Sequence, residues 1–338
     1  MTRPSILFRA DASHAVGLGH VARLCAVIEE IDPADAEPIA LFGGDDSVAA
    51  WSRAQHLTAD IRPWTTAEVL AAAARPEVRA VVVDGPALAA ELLPALAAAG
   101  IRAVLIDDGG HCALPVGTVV NHNFHAPVLA DSYPTAQLRL LGRDYLLVRR
   151  AIRRYCRGSC RPREAGLLRV VISFGGSDPV GATARVVGLI PSGRRLDLVV
   201  ITGPGYRDQR ALHLAAKVAT ATGHSLEVHH QPDDPAGLFL GADAAICSAG
   251  GTLGELAYLG CPALGFAIVP DQVLAARSQA RGGLIASGRS LADTDDAGVS
   301  ADLQAFLLGD RRRRDQRERA LATADGLGPR RVVAEALV

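Results

Sequence analysis

Residues 244–268 read AAICSAGGTLGELAYLGCPALGFAI. Ala244 to Cys247 is a short apolar strand. Gly250 and Gly251 turn the chain, a helix begins, and Ala263 to Ile268 is again a short apolar run. A strand that is apolar on both faces, followed by a helix and then another such strand, is the unit of a parallel sheet covered by helices. Working outward from this unit, the same alternation recurs. Leu167 to Phe174 is a strand ending in Gly175-Gly176. Leu196 to Thr202 ends in Gly203-Pro204-Gly205, and Leu226 to His230 completes the set.

The first half of the chain repeats the pattern. Strands are expected at Ile6-Leu7-Phe8, Pro38 to Phe42, Ala80 to Val83, Ile101 to Ile106 and Val119-Val120. Helices are expected at Val21 to Ile31 and Pro86 to Ala99. Repeated βα units imply an α/β fold of doubly wound type with right-handed crossovers. The pattern breaks at 149–166, which is arginine-rich and strand-free. It is expected to be a linker; a basic nucleic-acid patch is the rival reading, weakened by the scarcity of aromatic stacking partners. The expected organisation is therefore an N-terminal Rossmann-like domain at 1–148, a linker at 149–166 and a C-terminal Rossmann-like domain at 167–320. A C-terminal helix at 321–338 would pack back on the first domain. The two domains are expected to face each other across a cleft.

The bulk numbers agree with two domains. The chain has 338 residues, 49% of them hydrophobic and 21% charged. Such a chain can bury two cores of ordinary size. The formal net charge is −1, so nothing pulls the whole molecule to nucleic acid, and a grip on an anion must be local. Met1 to Ala10 has two arginines, Arg3 and Arg9, and only a short apolar run, so no signal peptide is expected. No apolar stretch is long enough to predict an integral membrane segment. The six cysteines, Cys25, Cys112, Cys156, Cys160, Cys247 and Cys261, are scattered. A reduced cytoplasmic protein is expected. Cys156 and Cys160 have no second pair at zinc spacing, so neither a metal nor a cofactor is expected.

Ligands of open parallel sheets bind beyond the carboxyl ends of the strands, so residues there carry most weight. Asp11 to Arg23, DASHAVGLGHVAR, follows the first strand. Gly17 and Gly19 permit a tight turn and close approach of backbone to a ligand. His20 falls in the first helical turn, where a neutral imidazole can accept a proton near pH 7. An ordinary capping histidine is the plain alternative. Gly175, Gly176 and Ser177 form a turn whose amides can hold an anion, although Ser177 or Asp178 can simply cap the next helix. Ser248, Gly250, Gly251 and Thr252 can offer amides and hydroxyls to a diphosphate at a helix start. Glu255 is expected in the first turn, as acceptor for both ribose hydroxyls or merely as a complement to the helix dipole. Asp271 and Gln272, after a strand, can contact a sugar; a cap by Asp271 is the alternative. The run Arg311 to Arg314 reads as a solvated helix face.

Taken together, these residues resemble the glycosyltransferase-B (GT-B) superfamily. Residues 247–262, followed by Pro270-Asp271-Gln272, look like its nucleotide-binding half, as in the enzyme that adds N-acetylglucosamine to the peptidoglycan lipid precursor. Closer still is the resemblance to the UDP-sugar hydrolases of the pseudaminic acid pathway and their spore-coat polysaccharide relatives. It rests on Phe8 to Arg23, Ile106 to Asp108, Asn121-His122-Asn123, Gly142 to Arg150 and Ser173 to Pro179, in order along most of the chain.

The resemblance implies a UDP-sugar donor, with the nucleotide on the C-terminal domain and the sugar near the N-terminal loops. His20 would be the catalytic histidine, with Asp11 as a second catalytic candidate. Gly17, Gly19, Arg23, Asn121 and Asn123 would line the substrate from the N-terminal side. Three departures from the hydrolases point to an acceptor other than water, or to another sugar. Gly85-Pro86 stand where histidine and tyrosine are usual, Asp271 replaces asparagine, and Gly254 replaces tryptophan. The expected activity is thus a metal-independent glycosyltransferase acting on a small metabolite or glycan acceptor. A UDP-sugar hydrolase is the alternative, and a non-catalytic nucleotide-sugar binder is a third reading. An arginine such as Arg9, Arg23 or Arg143 pairing with a sugar carboxylate is a further expectation.

Overall fold

A computed structural model describes residues 3–13, 17–110, 113–160 and 167–337. The chain divides into two units, residues 1–150 with 326–338, and residues 151–325.

Unit 1 is built on seven parallel strands: β1 (Ser5–Asp11), β2 (Glu37–Gly43), β3 (Asp60–Ile61), β4 (Val78–Asp84), β5 (Ala103–Ile106), β6 (Thr118–Asn121) and β7 (Leu138–Leu141). Their order in the sheet is β3-β2-β1-β4-β5-β6-β7. The central strand β1 is buried through Ala10, as expected for a strand covered on both faces. Its side chains alternate: Ile6, Phe8 and Ala10 enter one core, and Leu7 enters the other. The first core is covered by α1 (Gly19–Ile28), the second by α3 (Thr66–Ala73) and α4 (Pro86–Ala98); α2 (Asp46–Ala54) follows β2. Local signals explain the helix starts. Thr65 and Glu68 form a capping box on α3, and Pro86 occupies the first turn of α4, where its missing N–H costs nothing. The chain's last segment belongs to this unit. Val332, Val333, Ala336 and Leu337, from α13 (Gly328–Val332) and the π-helical turn Val333–Leu337, join the α1-side core. Arg102 donates to the Ala336 carbonyl at 2.6 Å.

Unit 2 has six parallel strands in the order β10-β9-β8-β11-β12-β13. These are β8 (Leu168–Ser173), β9 (Leu196–Thr202), β10 (Ser225–His230), β11 (Ala244–Ser248), β12 (Ala263–Ala267) and β13 (Ala286–Ser290). Its helices are α5 (Arg150–Arg153), which opens at the boundary, then α6 (Ala182–Gly188), α7 (Gln209–Ala221), α8 (Pro235–Leu240), α9 (Gly251–Leu259), α10 (Gln272–Arg281), α11 (Asp296–Leu308) and α12 (Asp310–Thr323).

Where the structure describes it, the stretch read as a linker is not free chain. Residues 151–160 are packed on unit 2: Gly158 N–H donates to Tyr258 O at 3.1 Å and Cys160 N–H to Leu259 O at 3.0 Å. Arg317 of α12 binds the carbonyls of Gly158 (2.8 Å), Cys160 and Gly260 (2.6 Å). Within the stretch itself, Arg157 Nε donates to the Ala324 carbonyl at 2.8 Å. Residues 161–166, the rest of the stretch, lie outside the described residues, as does Cys112. Arg313, in the run read as a solvated face, is buried and donates to Phe306 O and Asp310. No helix of the described residues is long and apolar enough to cross a membrane.

The β8 and β9 turns touch through bare backbone. A Cβ on Gly203 would stand 2.4 Å from the Cα of Gly176, and Gly205 N–H donates to Gly176 O at 2.8 Å. Backbone cannot rotate away as a side chain can. Gly203→Ala is therefore expected to cost about 2 kcal/mol or more in urea unfolding, whereas Gly193→Ala, which meets nothing within 4 Å, changes little.

Candidate functional site

In unit 1 the strand order reverses at β1 and β4, and loops leaving such a pair diverge and open a crevice at their carboxyl ends. β4 delivers Asp84 there as its last residue, and α1 delivers His20 in its first turn. The Nδ1 of His20 lies 2.7 Å from Oδ1 of Asp84. Asp84 is fully buried, whereas the His20 side chain is 16% exposed. A carboxylate only accepts, so the proton on this contact belongs to Nδ1, and Nε2 keeps its lone pair. Arg23, one turn further along α1, donates to Asp84 Oδ2 through Nε (3.0 Å) and to Oδ1 through Nη2 (2.7 Å). Its Nη2 also stands 2.7 Å from His20 Nδ1. With Nδ1 already donating to Asp84, this second approach is proximity rather than a hydrogen bond.

The cluster continues beyond Arg23. Its Nη1 donates to Asp108 and lies 3.5 Å from Nε2 of His122. Asn123 Nδ2 donates to the other oxygen of Asp108 at 2.7 Å. Burial alone would lower the Arg23 pKa, but Asp108 and Asp84 outweigh it and hold the guanidinium above its ordinary value. Burial would raise Asp108; the Arg23 cation reverses this and keeps the carboxylate well below its usual range. Asp108 Oδ1 lies 3.9 Å from Nε2 of His122 and acts to raise its pKa, but does not outweigh burial. Burial, with Arg23 acting in the same direction, pushes it down to about 4, so it is neutral in the fold.

Several expected residues sit elsewhere than the sequence suggested. Asp11, at the end of β1, is half-exposed and paired with Arg9 rather than with His20. Arg23 has its Nε and both Nη nitrogens committed to Asp84 and Asp108, which argues against pairing with a sugar carboxylate. Asn121 is fully buried. Its Nδ2 donates to Tyr133 Oη at 2.9 Å and its Oδ1 accepts from Asn123, so it supports the loop rather than facing a ligand. Gly17 does need its glycine: φ is 83°, and its N–H closes a turn on Ser13 O at 2.7 Å. Residues 14–16 of that loop lie outside the described residues. Gly19 is helical, and a Cβ there meets nothing.

Unit 2 reverses its strand order at β8 and β11. After β8, Gly175 adopts φ 86° and Ser177 is buried. Asp178 accepts from the N–H groups of Ala182 (2.8 Å) and Thr183 (2.7 Å), so the start of α6 already holds an internal carboxylate. The start of α9 differs. Its N-cap is Gly250, with no side chain capping it. Its first N–H groups are therefore available to an anion. Gly250 has φ −107°, so it is not a left-handed turn residue, and Gly251 is exposed. Thr252 is half-buried in the first turn. Glu255, buried, is the fifth residue of α9 and so lies in the second turn, one turn later than expected. Ser248 ends β11. Gln272 accepts from Ile268 N–H at 3.0 Å, and its Nε2 is 3.4 Å from where a Cβ on Gly250 would stand. Asp271 is exposed and makes no capping bond with its side chain.

No family model matches the chain, and no curated protein is similar to it in sequence. Solved structures are. MurG of Acinetobacter baumannii superposes with a TM-score of 0.67 at 16% identity, covering 98% of this chain and 99% of that one. MnaA of S. aureus, solved with UDP, gives 0.65 at 12% identity, with 98% and 95% covered. The spinosyn rhamnosyltransferase SpnG with spinosyn aglycone gives 0.61 at 17% identity, with 98% and 100% covered. The fold is GT-B. The superposition runs over nearly the whole of each chain, so both Rossmann-like domains of GT-B are included. The specific likeness to UDP-sugar hydrolases is not part of what these structures show.

Sequence reasoning placed His20 on the GT-B scaffold but passed over its partners. Asp84, Asp108 and His122 each stand at or just after a strand end, which was the available signal. The feature that distinguishes them is burial with a cation, and that is not visible in a one-dimensional pattern.

His122 gives the cluster a pH signature. Its folded pKa of about 4 lies below the ordinary 6.5, so in that window the unfolded chain takes up a proton that the fold refuses. Stability therefore falls as pH drops from 6.5 towards 4. Urea unfolding at pH 7 and pH 4.5 should show a loss about 2 kcal/mol smaller in His122→Asn than in the wild type. An equal loss would mean that His122 is not held neutral.

Proposed function

We propose that this protein is a glycosyltransferase that takes a sugar from a nucleoside diphosphate sugar, a UDP-sugar, and passes it to a metabolite or glycan acceptor. The observation that carries the reading is the His20–Asp84 pair at the strand reversal of unit 1. It leaves an imidazole Nε2 lone pair on a ring held in one tautomer by a buried carboxylate. Such a group has the geometry of a general base.

In this reading unit 2 binds the donor by its nucleotide. The uncapped start of α9, with Thr252, carries the diphosphate, and Glu255 accepts from the ribose hydroxyls. His20 Nε2 takes the proton of the acceptor as that acceptor attacks the anomeric carbon. The C–O bond to the diphosphate breaks, and its electrons pass to the leaving UDP, whose charge the α9 amides meet. Attack from the face opposite UDP inverts the anomeric centre. MnaA solved with UDP and SpnG solved with thymidine diphosphate support a nucleoside diphosphate on this fold. The departures at Gly85-Pro86, Gly254 and Asp271 favour an acceptor over water.

UDP-sugars incubated with and without candidate acceptors give the test, with products identified by mass and NMR. Transfer to an added acceptor supports the proposal. Rapid release of free sugar without acceptor would make the protein a hydrolase, and recovery of an epimerised UDP-sugar would make it an epimerase. His20→Ala should lower turnover by about a hundredfold or more while UDP binding, measured by calorimetry, is unchanged. Glu255→Gln should do the reverse, weakening UDP about tenfold through the ribose contact.

A further inference from the structure

His20 has an electrostatic difficulty that its partner alone does not resolve. Once Nε2 has taken a proton the ring is a cation, and a buried imidazolium needs a counter-charge. Asp84 is the carboxylate in contact, but Arg23 already donates to both of its oxygens, at 3.0 and 2.7 Å. The Arg23–Asp84 pair is neutral as a unit. Protonating His20 against that pair alone would leave a net positive charge at a site where Asp84 is fully buried and Arg23 is 12% exposed.

Asp108 changes the sum. Its carboxylate binds Nη1 of the same guanidinium, on the side away from Asp84. Arg23, Asp84 and Asp108 together carry one negative charge, and with a His20 imidazolium the four groups sum to zero. We propose that Asp108 is a positioning residue for His20, supplying through Arg23 the counter-charge that lets the imidazole hold a proton. This rests on His20 being the base.

The groups facing His20 support this assignment. Asp84 comes from β4 and Arg23 from α1. Asp108 follows β5, and His122, following β6, is neutral and adds no charge. Asp11, at the end of β1, is paired with Arg9. Asp108 itself is fixed by Asn123 Nδ2 at 2.7 Å, so its charge is held in place. The strong preference of Asp108 for its charged form fits the same picture.

The test is an NMR titration of the His20 imidazole in the full chain, assigned by comparison with His20→Gln. Asp108→Asn should lower the His20 pKa by about one unit, and Asp108→Glu, which restores the charge, should bring it back. The acid limb of kcat/KM should move to lower pH by the same amount in Asp108→Asn. Arg23→Gln combined with Asp108→Asn removes a cation and an anion together and leaves Asp84 unshared. In that double variant, which keeps the cluster's net charge and serves if Asp108→Asn does not fold, His20 should titrate at or above its wild-type value. An unmoved His20 in Asp108→Asn, an equal shift in the Asn and Glu variants, or a fall in the double variant overturns the proposal. A shift in the NMR titration without one in the rate profile counts against His20 as the base and leaves the coupling standing.

Discussion

A carboxylate with no exposed surface organises the unit 1 site. Asp84 ends β4 at the reversal of the sheet, and a charge there is tolerable only if it is paired and hydrogen-bonded. Arg23 and His20 meet that demand from one helix, three residues apart and so on one face of α1. The helix is held in turn by the core: Val21, Leu24, Ala26, Val27 and Ile28 pack on the strand side with Phe8 and Val82. The register of β1 against β4 sets Ala10 beside Asp84, which places the start of α1 above that carboxylate. Loss of the carboxylate would leave a buried guanidinium short of a partner and an imidazole free to rotate.

Unit 2 has the same order for its six strands as the first six of unit 1, yet its strand ends carry different chemistry. Unit 1 gathers ionised side chains with an imidazole. Unit 2 presents backbone: Gly175, Gly176 and Gly203 where strands β8 and β9 turn, and the uncapped start of α9. Amides fixed in a helix start and bare glycine backbone suit a polyanion, because they offer donors without side-chain entropy. In a molecule whose formal charge is −1, a grip on an anion would have to come from local geometry of this kind.

Much of the fold was legible because burial on both faces writes itself into sequence as continuous apolar runs. The strands at β1, β4, β8, β9 and β11 fell within a few residues of their expected bounds. Three strands were not anticipated. β3 is two residues long, β7 begins Leu-Arg after an irregular stretch, and β13 reads Ala-Ser-Gly-Arg-Ser without a β-branched residue. Each sits at or beside a sheet edge, where pairing with a neighbour, rather than side-chain propensity, makes the strand. The arginines of residues 149–160 and of α12 are hard to read from sequence for a related reason. A guanidinium that caps carbonyls and one that faces water look alike in sequence, and only the fold distinguishes Arg317 on Gly260 from an exposed Arg311.

The sequence by itself determined the alternation of strand and helix, the glycine turns at the strand ends and the position of His20 in the first turn of α1. All of these are local properties, written within a few residues of one another. Only the tertiary structure decided what His20 touches. Its partner Asp84 is 64 residues away, and Asp108 is 85 residues from the arginine that links them. It also decided that Asp11 pairs with Arg9, that Asn121 supports a loop, and that Glu255 lies a turn deeper in α9. The reason is that an ion pair depends on distance and burial, and a parallel sheet brings together strand ends whose separation along the chain is set by intervening helices and loops rather than by any repeat in the sequence.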